Sequence, residues 1–368
     1  MTDREFMYSS NVVDRPTFAS PHFTDRGPAS RALLNALTGQ ADDADDVLAQ
    51  FHAALVSALA LTGDVLRDDD VQLTLFILYG LFYGSVVNCD EHWEWNTSLI
   101  AGRTSIESRF EDRLRAVVPH PELPSSDAES VARALFELTS HETGPSLARF
   151  VAKKATVEQL REFLVQRSIY TLKEADPHSW AIPRLTGRPK AALVEIQADE
   201  YGGGRPERMH SAIFARTMRG LGLDARYASY LDNVPAIILS SMNMMSMFGL
   251  NRRLRGAIVG HLAAFEMTSS IPSRQYGNGF RRLGYGPDVT EYFDEHVEAD
   301  AVHEQIAGRD LAGALAEDQP ALLADIMFGA SACLTVDGWA SEHILNAWTS
   351  QRSSLRLPLP DSVETRTR

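Results

Sequence analysis

The stretch Tyr292–Ala307, YFDEHVEADAVHEQIA, carries His296, Asp300 and His303 at i, i+4 and i+7. At about 100° per residue these three project from one narrow face of a helix, while Glu295, Glu298 and Glu304 point elsewhere. Two imidazoles aligned with a carboxylate form either a hydrated polar stripe or part of a metal site, and the intervening Asp300 favours the metal. One helix supplies three donors, and a metal ion takes four or more. Further ligands must come from elsewhere in the chain.

The segment EIQADEYGGGRPERMH offers the next set. Glu207 and His210 form a Glu-x-x-His pair, the spacing that sets a carboxylate and an imidazole one turn apart in carboxylate-bridged di-iron bundles. Glu200 precedes Glu207 by seven residues and would share its face in an unbroken helix. Gly202, Gly203, Gly204 and Pro206 predict a break or bulge there instead, and Asp199 and Glu195 compete with Glu200 for the same role. Glu266, in GHLAAFEMTSS, sits in an apolar helix where an unpaired charge is costly. It calls for a cation, either a metal or an arginine such as Arg274 or Arg281. Glu174, in TLKEADPHSW, is expected to support the centre as an outer catalytic acid. Together Glu200, Glu207, His210, Glu266, His296, Asp300 and His303 make a two-metal inventory. Oxygen and imidazole donors suit Fe(II), Mn(II) or Zn(II), and the lack of thiolates argues against copper(I) and iron–sulfur clusters.

The elements that must position these residues are helices. Apolar residues recur at i, i+3, i+4 and i+7 over roughly 31–38, 43–62, 69–88, 104–117, 127–138 and 143–152. A second set follows over 156–174, 188–201, 206–220, 224–231, 233–248, 251–268, 288–315 and 319–348. No run alternates as a strand would, so the fold class is all-α. Residues 1–30 read as an irregular arm, 31–153 as an N-terminal helical layer, 154–350 as the domain that carries the candidate site, and 351–368 as a tail. The glycine triplet has no lysine and no preceding strand, which makes a phosphate loop improbable. The methionine-rich SMNMMSMF reads as adaptable core that could also wall a pocket.

Composition narrows the function classes. A chain of 368 residues with 44% hydrophobic content can bury a large core. Its formal charge of −14 argues against a nucleic-acid groove, which would need clustered Lys and Arg. A small-molecule substrate fits better. Only Cys89 and Cys333 are present, too few for a disulfide framework, so a cytoplasmic location is expected. No signal peptide or membrane span is expected either.

In the order Glu207-x-x-His210, Glu266, His296-x-x-x-Asp300-x-x-His303, these residues resemble the haem-oxygenase-like non-haem di-iron oxidases and oxygenases, over roughly residues 155–350. The resemblance implies a haem-oxygenase-like helical bundle holding two iron ions, cycling between Fe(II) and Fe(III), with dioxygen as cosubstrate and an external electron donor. Implied activities are oxidative decarboxylation of fatty acids, fragmentation of amino acids and oxidation of amine or guanidine nitrogen. Glu200 matches the additional carboxylate ligand of the nitrogen-oxygenating branch, which makes N-oxygenation of a small amino acid or amine the expected reaction and C–H or C–C chemistry the alternative. Residues 31–153 resemble an accessory region used for dimerisation, so a homodimer is expected. A metal-binding bundle without turnover is the reading of another class; against it, the chain has one Glu-x-x-His half and an unlike His/Asp/His helix. A carboxylate-bearing substrate would need a cation, for which Arg274, Arg281 and Arg282 are candidates, although surface charge or ion pairing is their more ordinary role.

Overall fold

A computed structural model describes residues 23–39, 44–84, 86–140 and 146–359; at residues 44 and 298–301 it describes only the backbone. No strand occurs among the described residues. The first helices are α1 (Pro28–Thr38), α2 (Ala44–Leu61), α3 (Asp69–Tyr83), α4 (Thr97–Val117), α5 (Ala128–Ser140) and α6 (Leu147–Lys153). The bundle that follows comprises α7 (Val157–Thr171), α8 (Asp176–Ser179), α9 (Gly187–Glu200), α10 (His210–Gly220), α11 (Ala236–Leu250), α12 (Arg255–Met267), α13 (Ser270–Arg282), α14 (Pro287–Gln305), α15 (Ala314–Asp318) and α16 (Leu323–Thr349). The haem-oxygenase-like helical bundle expected from the motifs is the architecture observed.

Local chemistry starts and stops these helices. Asp68 caps α3 by accepting from the Val71 amide at 2.9 Å, and Gly84 ends it in the left-handed region, which glycine adopts without strain; the expected extension to residue 88 is therefore absent. Thr156 and Gln159 close a reciprocal capping box at the start of α7. The buried carboxylate of Asp70, on α3, accepts from the Ala29 and Ser30 amides at 2.8 and 2.7 Å. It thus caps α1 from another helix and ties α1 to α3.

The core centres on α12, which packs on α16, α11 and α14. A Cβ added to Gly260 would collide with the Ile326 carbonyl oxygen, and one added to Gly329 with the Ala257 carbonyl oxygen. The two backbones touch at these glycines. Helix α16, with the turn before it, is long and apolar enough to cross a membrane, yet most of it is buried against its neighbours, as the core helix of a packed bundle would be.

Several boundaries differ from expectation. Residues 224–231 form turns leading to a 3-10 turn at Leu231–Asn233. Helix α13 was not foreseen, because Pro272, Gly277 and Gly279 depress its helix propensity; Gly279 instead lets its backbone meet that of Val151 on α6. The long segment expected over 288–315 widens into a π-helical stretch, Ile306–Gly313, immediately after α14.

Candidate metal centre

Six ionisable side chains from five places in the chain meet in the bundle interior. Glu174 lies between α7 and α8, Glu200 is the last residue of α9, His210 the first of α10, Glu266 lies near the end of α12, and His296 and His303 stand two turns apart on α14. All six are buried. Ligand atoms of Glu174, Glu200, His210 and His296 lie within 4.8 Å of one another, and those of Glu200, Glu266 and His303 form a second such group. Glu200 belongs to both, so two adjacent cation positions share one carboxylate.

Hydrogen bonds outside the cluster aim the donors inward. His296 Nδ1 lies 2.7 Å from the Tyr292 carbonyl and donates to it, which leaves its Nε2 lone pair facing Glu174 Oε1 at 3.5 Å. Tyr292 Oη donates to Glu174 Oε1 at 2.7 Å. His303 Nε2 meets Asp199 Oδ2 at 2.9 Å while its Nδ1 faces Glu266 Oε2 at 3.5 Å. A carboxylate behind an imidazole is the usual support of a metal-bound histidine.

Three atoms of the cluster, one each on His210, His303 and Glu174, are buried without a hydrogen bond. His210 Nδ1 stands 2.9 Å from Glu200 Oε2 but off the line of a hydrogen bond, and His303 Nδ1 and Glu174 Oε2 are also buried without one. Orphaned buried acceptors of this kind are expensive, and a cation between them satisfies them together. Three imidazoles and three carboxylates fit two iron ions by donor chemistry. The electrostatics point the same way. Burial pushes the Glu200 carboxyl up, yet the charges of His210, His296 and His303 outweigh it and hold it below its ordinary value. Burial raises Glu266, with Glu200 adding to the rise. Burial works against protonating His303, but Glu266 and Asp199 overcome it and lift its pKa to about 9. Without metal, the pocket draws in protons to balance its carboxylates.

The structure brings together Glu200, His210, Glu266, His296 and His303 from the predicted set and does not bring Glu207 with them. Gly202, Gly203 and Gly204 all take left-handed backbone, with φ of 68°, 59° and 78°. The chain reverses there, Glu207 falls on an exposed 3-10 turn at Pro206–Arg208, and α10 begins only at His210. Glu207 and His210 therefore share no helical face. Glu174, expected to stand behind the ligands, lies in the same group as Glu200, His210 and His296. Asp300 is on α14, but its side chain lies outside the described residues. Glu195 and Asp199 are exposed, and only Asp199 reaches the centre, through His303. The three candidate arginines are engaged or remote: Arg281 pairs with Asp294, Arg282 donates to the carbonyls of Ala152 and Ala155, and Arg274 is exposed.

Two features escaped the sequence reading. His178 and His261 stand next to the centre as a buried pair, Nε2 to Nδ1 at 3.1 Å, both held below their ordinary value chiefly by burial. Beyond Tyr170 and Phe265, whose rings meet edge to face at 5.2 Å, lies a second cavity of about 120 Å³ bordered by Arg167 and Asp337. Arg167 stands seven residues before Glu174 inside the apolar run FLVQRSIY, a signal that could have drawn attention to it.

Comparison with known proteins accords with this geometry. The sequence profile of the iron-containing redox enzymes matches residues 161–338, a span that includes the six clustered residues. Over 161 residues the chain is 30% identical to a nitrosourea synthase of Streptomyces achromogenes subsp. streptozoticus, an alignment covering 43% of this chain and 33% of that protein. The chain thus spans only about a third of the length of the curated relative it matches. The profile match covers just under half of the chain, and together with the helical bundle around the buried Glu/His cluster it makes residues 161–338 similar to the iron-containing redox enzymes.

Proposed function

We propose that the protein is a dioxygen-dependent, non-haem di-iron oxygenase that oxidises the nitrogen of a small amino acid or amine. The observation that carries this reading is the position of Glu200 in both ligand groups. It adds a shared carboxylate to the Glu/His donors, the extra anionic ligand expected of nitrogen-directed chemistry. The name of the relative, a nitrosourea synthase, describes a product with oxidised nitrogen and supports the same direction. Bound in this set, two iron ions would supply the reductive activation of dioxygen. The overall change is R–NH2 + O2 + 2 e− + 2 H+ → R–NHOH + H2O, with both electrons from an external donor.

The chain's own residues supply position and exclusion. Glu174, Glu200, His210 and His296 would hold one ion, and Glu200, Glu266 and His303, with Asp300 on the same helix, the other. The Tyr292 carbonyl and hydroxyl fix His296 and Glu174, and Asp199 fixes His303. Tyr170, Leu262 and Phe265 line the cavity over the cluster and keep bulk water away. At that apolar surface an amine is desolvated and its lone pair left available.

Loading the protein with Fe(II) under nitrogen should give about two ions per chain, as two ligand groups require. Exposure to dioxygen with a panel of amino acids, amines and fatty acids should then give products heavier by oxygen with the carbon skeleton intact. Products lacking two hydrogens, carbon dioxide or a carbon fragment would replace N-oxygenation with C–H or C–C chemistry. Absence of iron uptake would sink the di-iron reading.

A further inference from the structure

The cavity behind Tyr170 and Phe265 has one cation and one anion, Arg167 and Asp337, in a largely apolar lining. Arg167, on α7, sits beside the paired rings of Phe163 and Tyr276, 5.7 and 5.9 Å from their centroids. Its Nε is buried without a hydrogen-bond partner, and no carboxylate among the described residues forms an ion pair with it. Asp337, on α16, accepts from Ser241 Oγ at 2.6 Å and from the Cys333 thiol but meets no basic side chain at ion-pair distance among the described residues. Ile238, Met242 and Met245 also line the cavity. Burial pushes the Asp337 carboxyl up, against the opposing effects of the Ser241 hydrogen bond and the Arg167 charge. Arg167 and Asp337 are half-buried, and two charges that line one cavity without pairing with each other leave part of their desolvation cost unmet. A ligand carrying both complementary charges meets it.

We propose that this cavity binds a small zwitterion, an α-amino acid whose carboxylate lies on Arg167 and whose ammonium lies on Asp337. The guanidinium matches a carboxylate through two parallel N–H donors. The Asp337 carboxylate, held by Ser241, accepts from the ammonium. The substituent of the amino acid then faces Tyr170 and Phe265, which line both this cavity and the one over the cluster. That orientation rests on the cluster being the reaction centre, whereas the binding does not.

The test is calorimetric titration of the full-length protein with each common L-amino acid, in metal-free form and after anaerobic loading with Fe(II). At least one amino acid should bind. Its decarboxylated amine and its deaminated acid should each bind at least about tenfold more weakly, as expected when a half-buried charge loses its partner. Arg167→Gln and Asp337→Asn should weaken the amino acid by a similar factor while iron content and far-ultraviolet dichroism stay as in the parent. The analogue comparison on the unaltered protein decides the matter if Arg167→Gln does not fold. Failure of all amino acids to bind, an analogue binding as tightly as its parent, or unchanged binding by Asp337→Asn would overturn the proposal. Binding without iron uptake would keep it and remove the di-iron reading, and iron uptake without binding would do the reverse.

Discussion

Helix α12 turns two different faces to its surroundings. On one side Gly256, Ala257 and Gly260 meet α16 with almost nothing between the backbones. On the other, Leu262, Phe265 and Glu266 border the charged cluster, where buried acceptors stand unpartnered. The first face is close-packed and apolar and contributes stability; the second carries polar burden that packing must offset. The difference teaches that the site is held in place by a seam that contains none of its ligands.

The largest effect is expected from breaking the seam. Gly260→Val forces a branched side chain into the Ile326 carbonyl and should destabilise the fold by about 3 kcal/mol or more, read as a lower urea midpoint or loss of a cooperative melt. A variant that melts like the parent would mean that α12 and α16 can part without consequence. Altering the opposite face should leave the fold and remove the chemistry. His210→Ala, His303→Ala and Glu200→Ala should each lower oxygenase activity by about a hundredfold or more, with the two histidine variants also losing bound iron, while the metal-free proteins melt no lower than the parent. Full iron content in His303→Ala would remove that residue from the centre. Glu207→Ala, by contrast, should leave iron content unchanged.

A smaller loss is expected behind the ligands. Asp199→Asn keeps a polar group at His303 Nε2 but gives up the carboxylate, and should weaken iron binding by about 10- to 100-fold, measured by competition with a chelator. The smallest effect lies where the seam begins. Burial alone would raise Glu111, but hydrogen bonds from Arg253 and Arg115 prevail and hold it below its ordinary value; Arg115 also bonds Asp325 on α16 at 3.0 Å. With its folded value depressed, Glu111 contributes stability above the unfolded carboxylate range, about 4.3, and that contribution fades as pH falls through the lower folded value. Glu111→Gln should flatten the acid side of the melting-temperature profile, by less than about 1 kcal/mol because Arg253 is half exposed.

How much of this was legible beforehand follows the range of each signal. Helical period is local, so most helices were found, and α13 was missed because its glycines serve contacts with α6 rather than helix propensity. His296 and His303 were legible because both sit on one uninterrupted helix. Glu266 was legible because a lone carboxylate in an apolar helix demands a partner. Glu207 was misread because the pattern Glu-x-x-His means one face only inside a helix, and three left-handed glycines abolish that helix. Arg167 carries a seven-residue spacing to Glu174, but neither that nor any other spacing links Arg167, Glu174 and Asp337 to the residues they meet. Their meeting is tertiary, and no periodicity encodes it.

The glycine turn also bears on how the centre assembles. It brings Glu200 to His210 by closing a loop from residue 200 to 210, whereas Glu174 meets His296 only after the chain from 174 to 296 has closed. Loop entropy grows slowly with length, and by that scaling the longer closure is about 2 kcal/mol less favourable. An opening that parts α14 from the bundle would carry away both of its histidines and leave the Glu200–His210 pair together. One half of the centre is thus local in the chain, and the other depends on a long-range closure.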